Sequence, residues 1–209
     1  MKKILINKVH KDIDIYYTKK IKIFGPSPLG VDWRDEESQQ LRFEQLSKIV
    51  NLYNSSLNDI GCGYGKYLEF IKKKKWKIRY TGYDLSKDMI YNATKIYPKN
   101  KFFHISNLNE IKVADYSIAS GIFNVKMQYK NSEWISYIIK TLDGINTKSI
   151  KGFSFNILTR YSNKQYMRNY LYYADPLFFF DYCIKNYSKN ISLNHDYNLY
   201  EFTILVRKN

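Results

Sequence analysis

Hydrophobic and polar positions follow two alternating periods along most of this chain. Short apolar runs that predict β-strands occur at 57–60, 79–83, 101–105, 116–120 and 150–158. Segments with helical periodicity separate them, near 64–75, 86–97, 131–143 and 163–187. Strands that alternate with helices are typical of a parallel sheet with crossover helices, so the pattern predicts an α/β fold with a Rossmann-like, doubly wound sheet.

The two ends of the chain depart from this alternation. The last strand candidates, 190–194 and 200–207, have a connection too short for a parallel crossover. We therefore expect a terminal antiparallel hairpin on a mostly parallel, seven-stranded sheet. Alternating apolar and polar residues before a turn-rich stretch predict an extended N-terminal arm over 1–30. An acidic first turn and an apolar face predict a helix over 34–52, at the start of a domain that spans 31–209.

The charge of the chain has two explanations. The 209 residues include 34 Lys plus Arg against 19 Asp plus Glu, for a formal net charge of +15. Such an excess is typical of proteins that bind a polyanion. However, 28 of these basic residues are Lys, and Lys, Asn, Ile and Tyr, all with A/T-rich codons, are abundant throughout. A genomic bias explains the composition better, since phosphate-binding surfaces favour the bidentate Arg.

Cysteine usage and the N-terminus bear on the compartment. Cys62 and Cys183 are far apart in sequence, which fits neither a disulfide framework nor a zinc site. We expect a reduced, cytoplasmic protein without a bound metal. The apolar residues 4–6 are too few for a signal peptide, and no window approaches the ~20 apolar residues of a membrane span.

A glycine-rich turn follows the first predicted strand and leads into a helix. Residues 59–66 read DIGCGYGK, whereas the dinucleotide-binding spacing G-x-G-x-x-G requires glycine where Lys66 stands. A carboxylate at Asp59 is poorly placed beside phosphates, so the turn favours a cationic ligand or one without phosphates. Asp84 ends the neighbouring predicted strand, where a carboxylate accepts hydrogen bonds from both hydroxyls of a ribose.

Together with the terminal hairpin, this turn and residues 84–89, DLSKDM, resemble the class I S-adenosylmethionine-dependent methyltransferases over about residues 57–207. The resemblance implies that S-adenosylmethionine is the cofactor and S-adenosylhomocysteine the product. It also implies that Asp84 holds the ribose and that Leu85 and Met89 lie against the adenine. The implied cofactor-binding residues are Arg42, Asp59, Gly61, Cys62, Gly63, Asp84, Leu85, Met89, Asn107, Leu108, Gly121 and Ile122.

Residues 30–43 are similar to the N-terminal lid helix of many small methyltransferases. Within them Arg42 is one of only six arginines in the chain. One interpretation is that its guanidinium binds the carboxylate of the cofactor in bidentate fashion. The other is a surface arginine that pairs with Asp35 or Glu44.

The acceptor side is expected at the carboxyl ends of the fourth to sixth strands. His195 is the candidate general base, because histidine accepts a proton near neutral pH, and Asn124 is the second catalytic candidate. A turn-capping role is the alternative for His195. The candidate substrate-binding residues are Trp33, Phe123, Arg160 and Tyr197.

The function predicted from these features is methyl transfer to an oxygen or nitrogen of a small molecule, such as a sugar or another secondary metabolite. The motif expected of a DNA amine methyltransferase, Asn or Asp before Pro-Pro-aromatic, is absent after the fourth strand, where the sequence reads FNVK. An RNA-directed methyltransferase is the first alternative, and a non-catalytic S-adenosylmethionine-binding domain is the second. We expect a monomer or homodimer without a membrane partner, and a nucleic-acid partner stays open.

Overall fold

The fold is seen in a computed structural model that describes residues 3–51 and 53–208. Seven strands form one sheet in the order β3-β2-β1-β4-β5-β7-β6. Their bounds are β1 Tyr53–Ile60, β2 Lys77–Asp84, β3 Lys101–His104, β4 Ala114–Ala119, β5 Ser149–Leu158, β6 Asn190–Asn194 and β7 Glu201–Arg207. β7 runs antiparallel to both of its neighbours, and the strands β1 to β5 pair in parallel. The predicted fold class and the terminal hairpin are therefore confirmed.

Within the described residues, the α-helices that accompany the sheet are α1 Lys3–Phe24, α2 Glu36–Ser47, α3 Lys66–Lys73, α4 Lys87–Ile96, α5 Asn131–Lys148 and α6 Pro176–Asn186. The predicted helix over 34–52 is thus shorter than expected. Asp35 caps its start by accepting from the amide of Ser38. The predicted helix over 163–187 is wrong in its first half, because α6 begins only at Pro176, whose ring suits the first turn of a helix.

The N-terminal segment is the main correction to the fold. The extended arm predicted over 1–30 is wrong, since residues from Lys3 to Phe24 form the long helix α1. Val9 and Ile21 are buried on one face of this helix, whereas Ile15 and Ile23 are exposed. Residues 1, 2, 52 and 209, at which some of the predicted segments begin or end, lie outside the described residues.

Helices cover both faces of the sheet. On one face α2 and α3 contribute Leu46 and Tyr67 to a core that also contains Leu57 of β1. On the other face Trp134 of α5 and Phe179 of α6 pack over the sheet. None of the helices in the described part of the chain is long and apolar enough to cross a membrane.

The order of the strands decides where a ligand is held. The chain moves outward from β1 through β2 to β3, and then returns to pair β4 with the opposite edge of β1. Ligands of such sheets bind at this switch point, beyond the carboxyl ends of the strands. Because β7 is antiparallel to β5, its first residue, Glu201, pairs with Leu158 at the end of β5 and lies at the same rim.

Substitution at Ile15 tests whether the N-terminal segment is helical. Ile15 is 56% exposed in the middle of α1, so shortening its side chain removes little packing. We expect Ile15→Pro to lower the free energy of unfolding by about 3 kcal/mol relative to Ile15→Ala, because proline breaks a helix interior. Urea unfolding and far-ultraviolet circular dichroism measure this difference. Equal stability and equal helical signal of the two variants would contradict the helix.

Candidate active site

The turn between β1 and α3 contains glycines in the left-handed backbone region. The φ angle is +74° at Gly61, +55° at Gly63 and +86° at Gly65. A Cβ atom at Gly61 would lie 2.3 Å from the Cγ2 atom of Ile122, so only glycine fits there. The amide of Gly61 donates to the carbonyl of Tyr83 at 2.8 Å, which joins the turn to the end of β2.

Asp84 is held rigidly at the end of β2. One carboxylate oxygen accepts from the amide of Gly63 at 2.8 Å, and the other accepts from the amide of Ser86 at 2.8 Å. Burial raises the pKa of Asp84 to about 6, against the opposing effect of these two amides. Each oxygen keeps a lone pair for a ligand, so the carboxylate is a fixed double acceptor.

A second carboxyl group lies close to the first. Asp59 is only 2% exposed and accepts a hydrogen bond from the hydroxyl of Tyr80 at 2.7 Å. Burial raises the pKa of Asp59 to about 7, and the charge of Asp84 adds to the rise. The first predicted strand and its neighbour therefore place two acids with raised pKa values side by side.

A cavity of about 1020 Å³, counted with its opening to solvent, lies at the carboxyl ends of β1, β2 and β4. This size suits a small-molecule ligand. Eleven of the twelve predicted cofactor-binding residues line it: Asp59, Gly61, Cys62, Gly63, Asp84, Leu85, Met89, Asn107, Leu108, Gly121 and Ile122. We call it the first cavity.

Sequence reasoning missed several residues of this first cavity. His10, Ile13 and Tyr17 reach it from α1, and Tyr137 and Thr141 reach it from α5. The signal available for α1 was the four-residue spacing of Val9, Ile13, Tyr17 and Ile21, which is a helical period. Without a helix there, no sequence argument could bring the N-terminus over the glycine turn.

Two residues that line the first cavity each have a buried polar atom that makes no hydrogen bond with the described part of the chain. These atoms are the Oε1 atom of Gln39, in α2, and the Oγ atom of Ser120, just after β4. Gln39 is 3% exposed. An unpaired buried polar atom costs roughly 1–3 kcal/mol, so these atoms mark positions where a polar ligand is expected to bind.

A second cavity of about 580 Å³, also counted with its opening, adjoins the first. Both are lined by Tyr17, Val31, Trp33 and Gly121. Gly121 has a φ of +70°, and a Cβ atom there would lie 2.1 Å from Cζ2 of Trp33, so glycine lets the indole lie on the backbone. The remaining residues of the second cavity are Asp32, Arg34, Arg42, Asn124, Val125, Leu158, Tyr170 and Leu171.

Arg42 lines the second cavity and not the first. Its Nε atom donates to Oε2 of Glu201 at 2.7 Å, and its guanidinium lies 3.9 Å from the centre of the Trp33 ring. The interpretation of Arg42 as a surface arginine that pairs with Asp35 or Glu44 is therefore wrong, and the binding of a cofactor carboxylate stays a prediction. Arg42 lies outside the cavity of the other predicted cofactor residues, and its partner is neither Asp35 nor Glu44. The Arg42 side chain is buried rather than on the surface.

Asp32 is the carboxylate among the described residues that line the second cavity. It has a φ of +63°, at the end of a short turn that starts at Leu29. Tyr16 donates its hydroxyl to Oδ2 at 2.8 Å, and Lys20 donates its ammonium group to Oδ1 at 2.5 Å. Helix α1 therefore holds this acid in place from one side.

The two predicted catalytic residues do not meet at one cavity. His195 is exposed, packs edge-on against Tyr161 and lines neither cavity. Asn124 lines the second cavity, but its Oδ1 accepts from the amide of Leu158 at 3.1 Å. A side-chain amide also lacks the basicity to remove a proton. His195 therefore lies away from both cavities, and Asn124 is a wall residue of the second.

Three of the four predicted substrate-binding residues lie elsewhere. Phe123 is fully buried in the core, Arg160 pairs with Asp175 at 2.8 Å on the surface, and Tyr197 is buried. None of these three lines either cavity. Trp33, the fourth, lines both cavities.

The sequence is similar to methyltransferases. A sequence profile described as a methyltransferase domain matches residues 58–135. The Mycobacterium tuberculosis protein Rv1506c, which is named as a methyltransferase, is 47% identical over 168 residues, or 77% of this chain and 98% of that protein.

Solved structures share the fold at low sequence identity. Magnesium protoporphyrin IX methyltransferase from Synechocystis PCC 6803, with bound S-adenosylmethionine, has a TM-score of 0.64 and 14% identity, over 98% of this chain and 97% of that chain. The plantazolicin methyltransferase BpumL, in complex with S-adenosylhomocysteine, has a TM-score of 0.61 and 15% identity, over 98% and 99% of the two chains.

The raised pKa of Asp59 predicts a pH-dependent effect of Asp59→Asn on stability. The pKa of this acid is near 3.8 in the unfolded chain and about 7 in the folded chain, so the folded state binds its proton more tightly. The free energy of unfolding of the parent therefore falls as pH rises from about 4 to about 7. Asparagine keeps an acceptor for Tyr80 and carries no charge. We expect the variant to gain on the order of 2–4 kcal/mol relative to the parent between pH 4 and pH 8. Urea unfolding across this range measures the gain, and a pH-independent difference would contradict it.

Proposed function

This chain belongs to the class I S-adenosylmethionine-dependent methyltransferases, and from this membership we propose that it binds the cofactor in the first cavity and methylates a small molecule held in the second. The observation that supports this division is the shared wall of the two cavities, formed by Tyr17, Val31, Trp33 and Gly121. A methyl group has to cross from cofactor to acceptor by in-line displacement, which requires two adjoining sites.

The residues of the first cavity fit a ligand of this chemistry. The carboxylate of Asp84 offers free lone pairs to the two hydroxyls of a ribose, while Leu85 and Met89 provide apolar walls for an adenine. The unpaired Oε1 of Gln39 and Oγ of Ser120 suit the ammonium and carboxylate groups of the methionine part. The unpaired atoms thus complement a zwitterionic ligand, which supports the assignment.

When bound, S-adenosylmethionine supplies an electrophilic methyl group on its sulfonium. The protein has to orient the acceptor, exclude water and, for a hydroxyl or an ammonium group, take up a proton. In the second cavity Val125, Leu158 and Leu171 provide apolar surface, and Trp33 lines both cavities. We assign acceptor orientation to these walls.

Asp32 is the proposed proton acceptor. It lines the second cavity, and its position is fixed by Tyr16 and Lys20 through hydrogen bonds of 2.8 and 2.5 Å. A carboxylate in this position can take a proton from the acceptor molecule. Before that transfer, the ammonium group of Lys20 balances the negative charge of Asp32. It therefore replaces His195 in this role.

The two alternatives raised by the sequence are less well supported. The family is one of enzymes, which favours catalysis over simple cofactor binding. The second cavity, at about 580 Å³ with its opening, has the size of a small-molecule site, which favours a small acceptor over RNA. RNA binding that persists at physiological salt would revive the RNA alternative.

Substitution of Asp84 tests cofactor binding. We expect Asp84→Ala to weaken the binding of S-adenosylhomocysteine by roughly 100-fold or more, because two hydrogen bonds to a charged acceptor are lost. Binding to the parent should also weaken as pH falls through about 6, where Asp84 becomes protonated. Titration calorimetry measures both effects. The matched control is Asp88→Ala, at a more exposed acid in the next helix, and near-normal binding by Asp84→Ala would refute the proposal.

Substitution of Asp32 tests the proton acceptor. A screen of hydroxyl and amine compounds by S-adenosylhomocysteine release would first identify an acceptor. We then expect Asp32→Asn to lower kcat roughly 100-fold while the affinity for S-adenosylhomocysteine is unchanged, since the amide still accepts from Tyr16 but cannot take a proton. Asp181→Asn, at an exposed acid paired with Lys185, is the control. An unchanged kcat in Asp32→Asn would exclude this role.

A further inference from the structure

The guanidinium of Arg42 has a hydrogen-bond donor that nothing in the described chain uses. Its Nη1 atom is buried and without a partner, while its Nε atom donates to Glu201. The whole residue is 7% exposed and lines the second cavity. A charged donor buried without an acceptor is costly, so its position indicates that a ligand supplies the acceptor.

The contacts around Arg42 hold its free donor in a fixed position. Glu201 is itself held by Nδ2 of Asn156 at 2.9 Å and by the hydroxyl of Tyr197 at 3.4 Å. The Trp33 ring covers one face of the guanidinium at 3.9 Å. With one edge paired and one face covered, the guanidinium cannot turn toward another protein acceptor without breaking these contacts. The donor is therefore held in place in a residue that lines the second cavity.

Positive charge near this cavity is not fully neutralised. Asp32 is paired with Lys20, and the carboxylate of Glu201 is paired with Arg42. Tyr170 lines the second cavity, and burial is the main cause that raises its pKa. The positive charge of Arg168 lies close enough to Tyr170 to oppose this rise. Within the described residues, the side chain of Arg168 donates only to backbone carbonyls of the loop, those of Gln165 and Met167.

We propose that the acceptor molecule carries an anionic oxygen group, a carboxylate or a phosphonate-like acid, whose oxygen accepts from Nη1 of Arg42 in the second cavity. This inference rests on the proposed function, in which that cavity holds the acceptor. An anionic oxygen gives a charge-assisted hydrogen bond, about twice as strong as a neutral one, and also offsets the excess positive charge. Arg42 is then a specificity-determining residue that touches the acceptor rather than the cofactor.

The test uses the full chain and simple probes. S-Adenosylhomocysteine is first titrated by calorimetry, and failure of the parent protein to bind it would overturn the proposed function itself. In the saturated complex, benzoate and phenylphosphonate are compared with neutral benzamide. We expect at least one acid to bind roughly tenfold more tightly than benzamide, and the better acid distinguishes a carboxylate site from a phosphonate site.

Arg42→Lys separates the ion pair from the free donor. Lysine can still pair with Glu201, but it has no second nitrogen at the position of Nη1. We expect this variant to lose the preference for the acid while its affinity for S-adenosylhomocysteine stays within about twofold of the parent. Arg160→Lys is the matched control, because Arg160 pairs with Asp175 on the surface and lines neither cavity.

Several results would overturn the inference. One is equal binding of benzamide and both acids to the parent, or no binding of either acid at about 10 mM. Another is an unchanged acid preference in Arg42→Lys. A tenfold loss of S-adenosylhomocysteine affinity in Arg42→Lys would place Nη1 on the cofactor instead. If Arg42→Lys does not fold, the double variant Arg42→Met/Glu201→Gln removes both buried charges together, and its acid preference decides the question.

Discussion

The buried carboxylate of Glu201 is the constraint on which the arrangement of both cavities depends. It is completely buried, so it has to be paired, and Arg42 and Asn156 supply its partners at 2.7 and 2.9 Å. Oδ1 of Asn156 in turn accepts from the amide of Gly121 at 2.7 Å. Trp33 closes the ring of contacts, because it lies on Gly121 and stacks on Arg42. Removing one partner of such a buried pair lowers stability by roughly 3–5 kcal/mol. The contacts therefore fix α2, β5, β7 and the turn after β4 to one another at the rim of the sheet.

Local sequence patterns were sufficient for the sheet and for most of the first cavity. An acid or a glycine turn at the end of a strand can be recognised from a few neighbouring residues. Asp84 ends β2, and Gly61 directly follows β1, its parallel neighbour. The N-terminal helix was missed for a specific reason. Ile13 and Tyr17 belong both to a two-residue and to a four-residue spacing, and the exposed Ile15 between them completes the alternation of a strand. Burial of Val9 and Ile21 against the rest of the chain stabilises the helix over the strand.

The second cavity could not be predicted in the same way, because its walls come from distant parts of the chain. Arg42 is 159 residues from Glu201, and no local spacing links them. His195 was a reasonable candidate only as long as the sixth strand was assumed to lie near the switch point. In the observed order β7 separates β6 from β5, so the end of β6 is carried to the edge of the sheet, away from Gly121. Strand order is a global property, and it determines which strand ends can share a ligand.

The two acids of the first cavity bear on the charge of the ligand that it can hold. Burial raises the pKa of both Asp59 and Asp84, and the charge of Asp84 raises that of Asp59 further. A ligand with a positive charge favours the ionised form of both acids, whereas a pyrophosphate would add to the repulsion. The same turn has Lys66 where a dinucleotide site requires its third glycine. The acids and the glycine spacing therefore disfavour a dinucleotide by two independent routes, and both arguments concern local residues rather than the net charge of +15 of the whole chain.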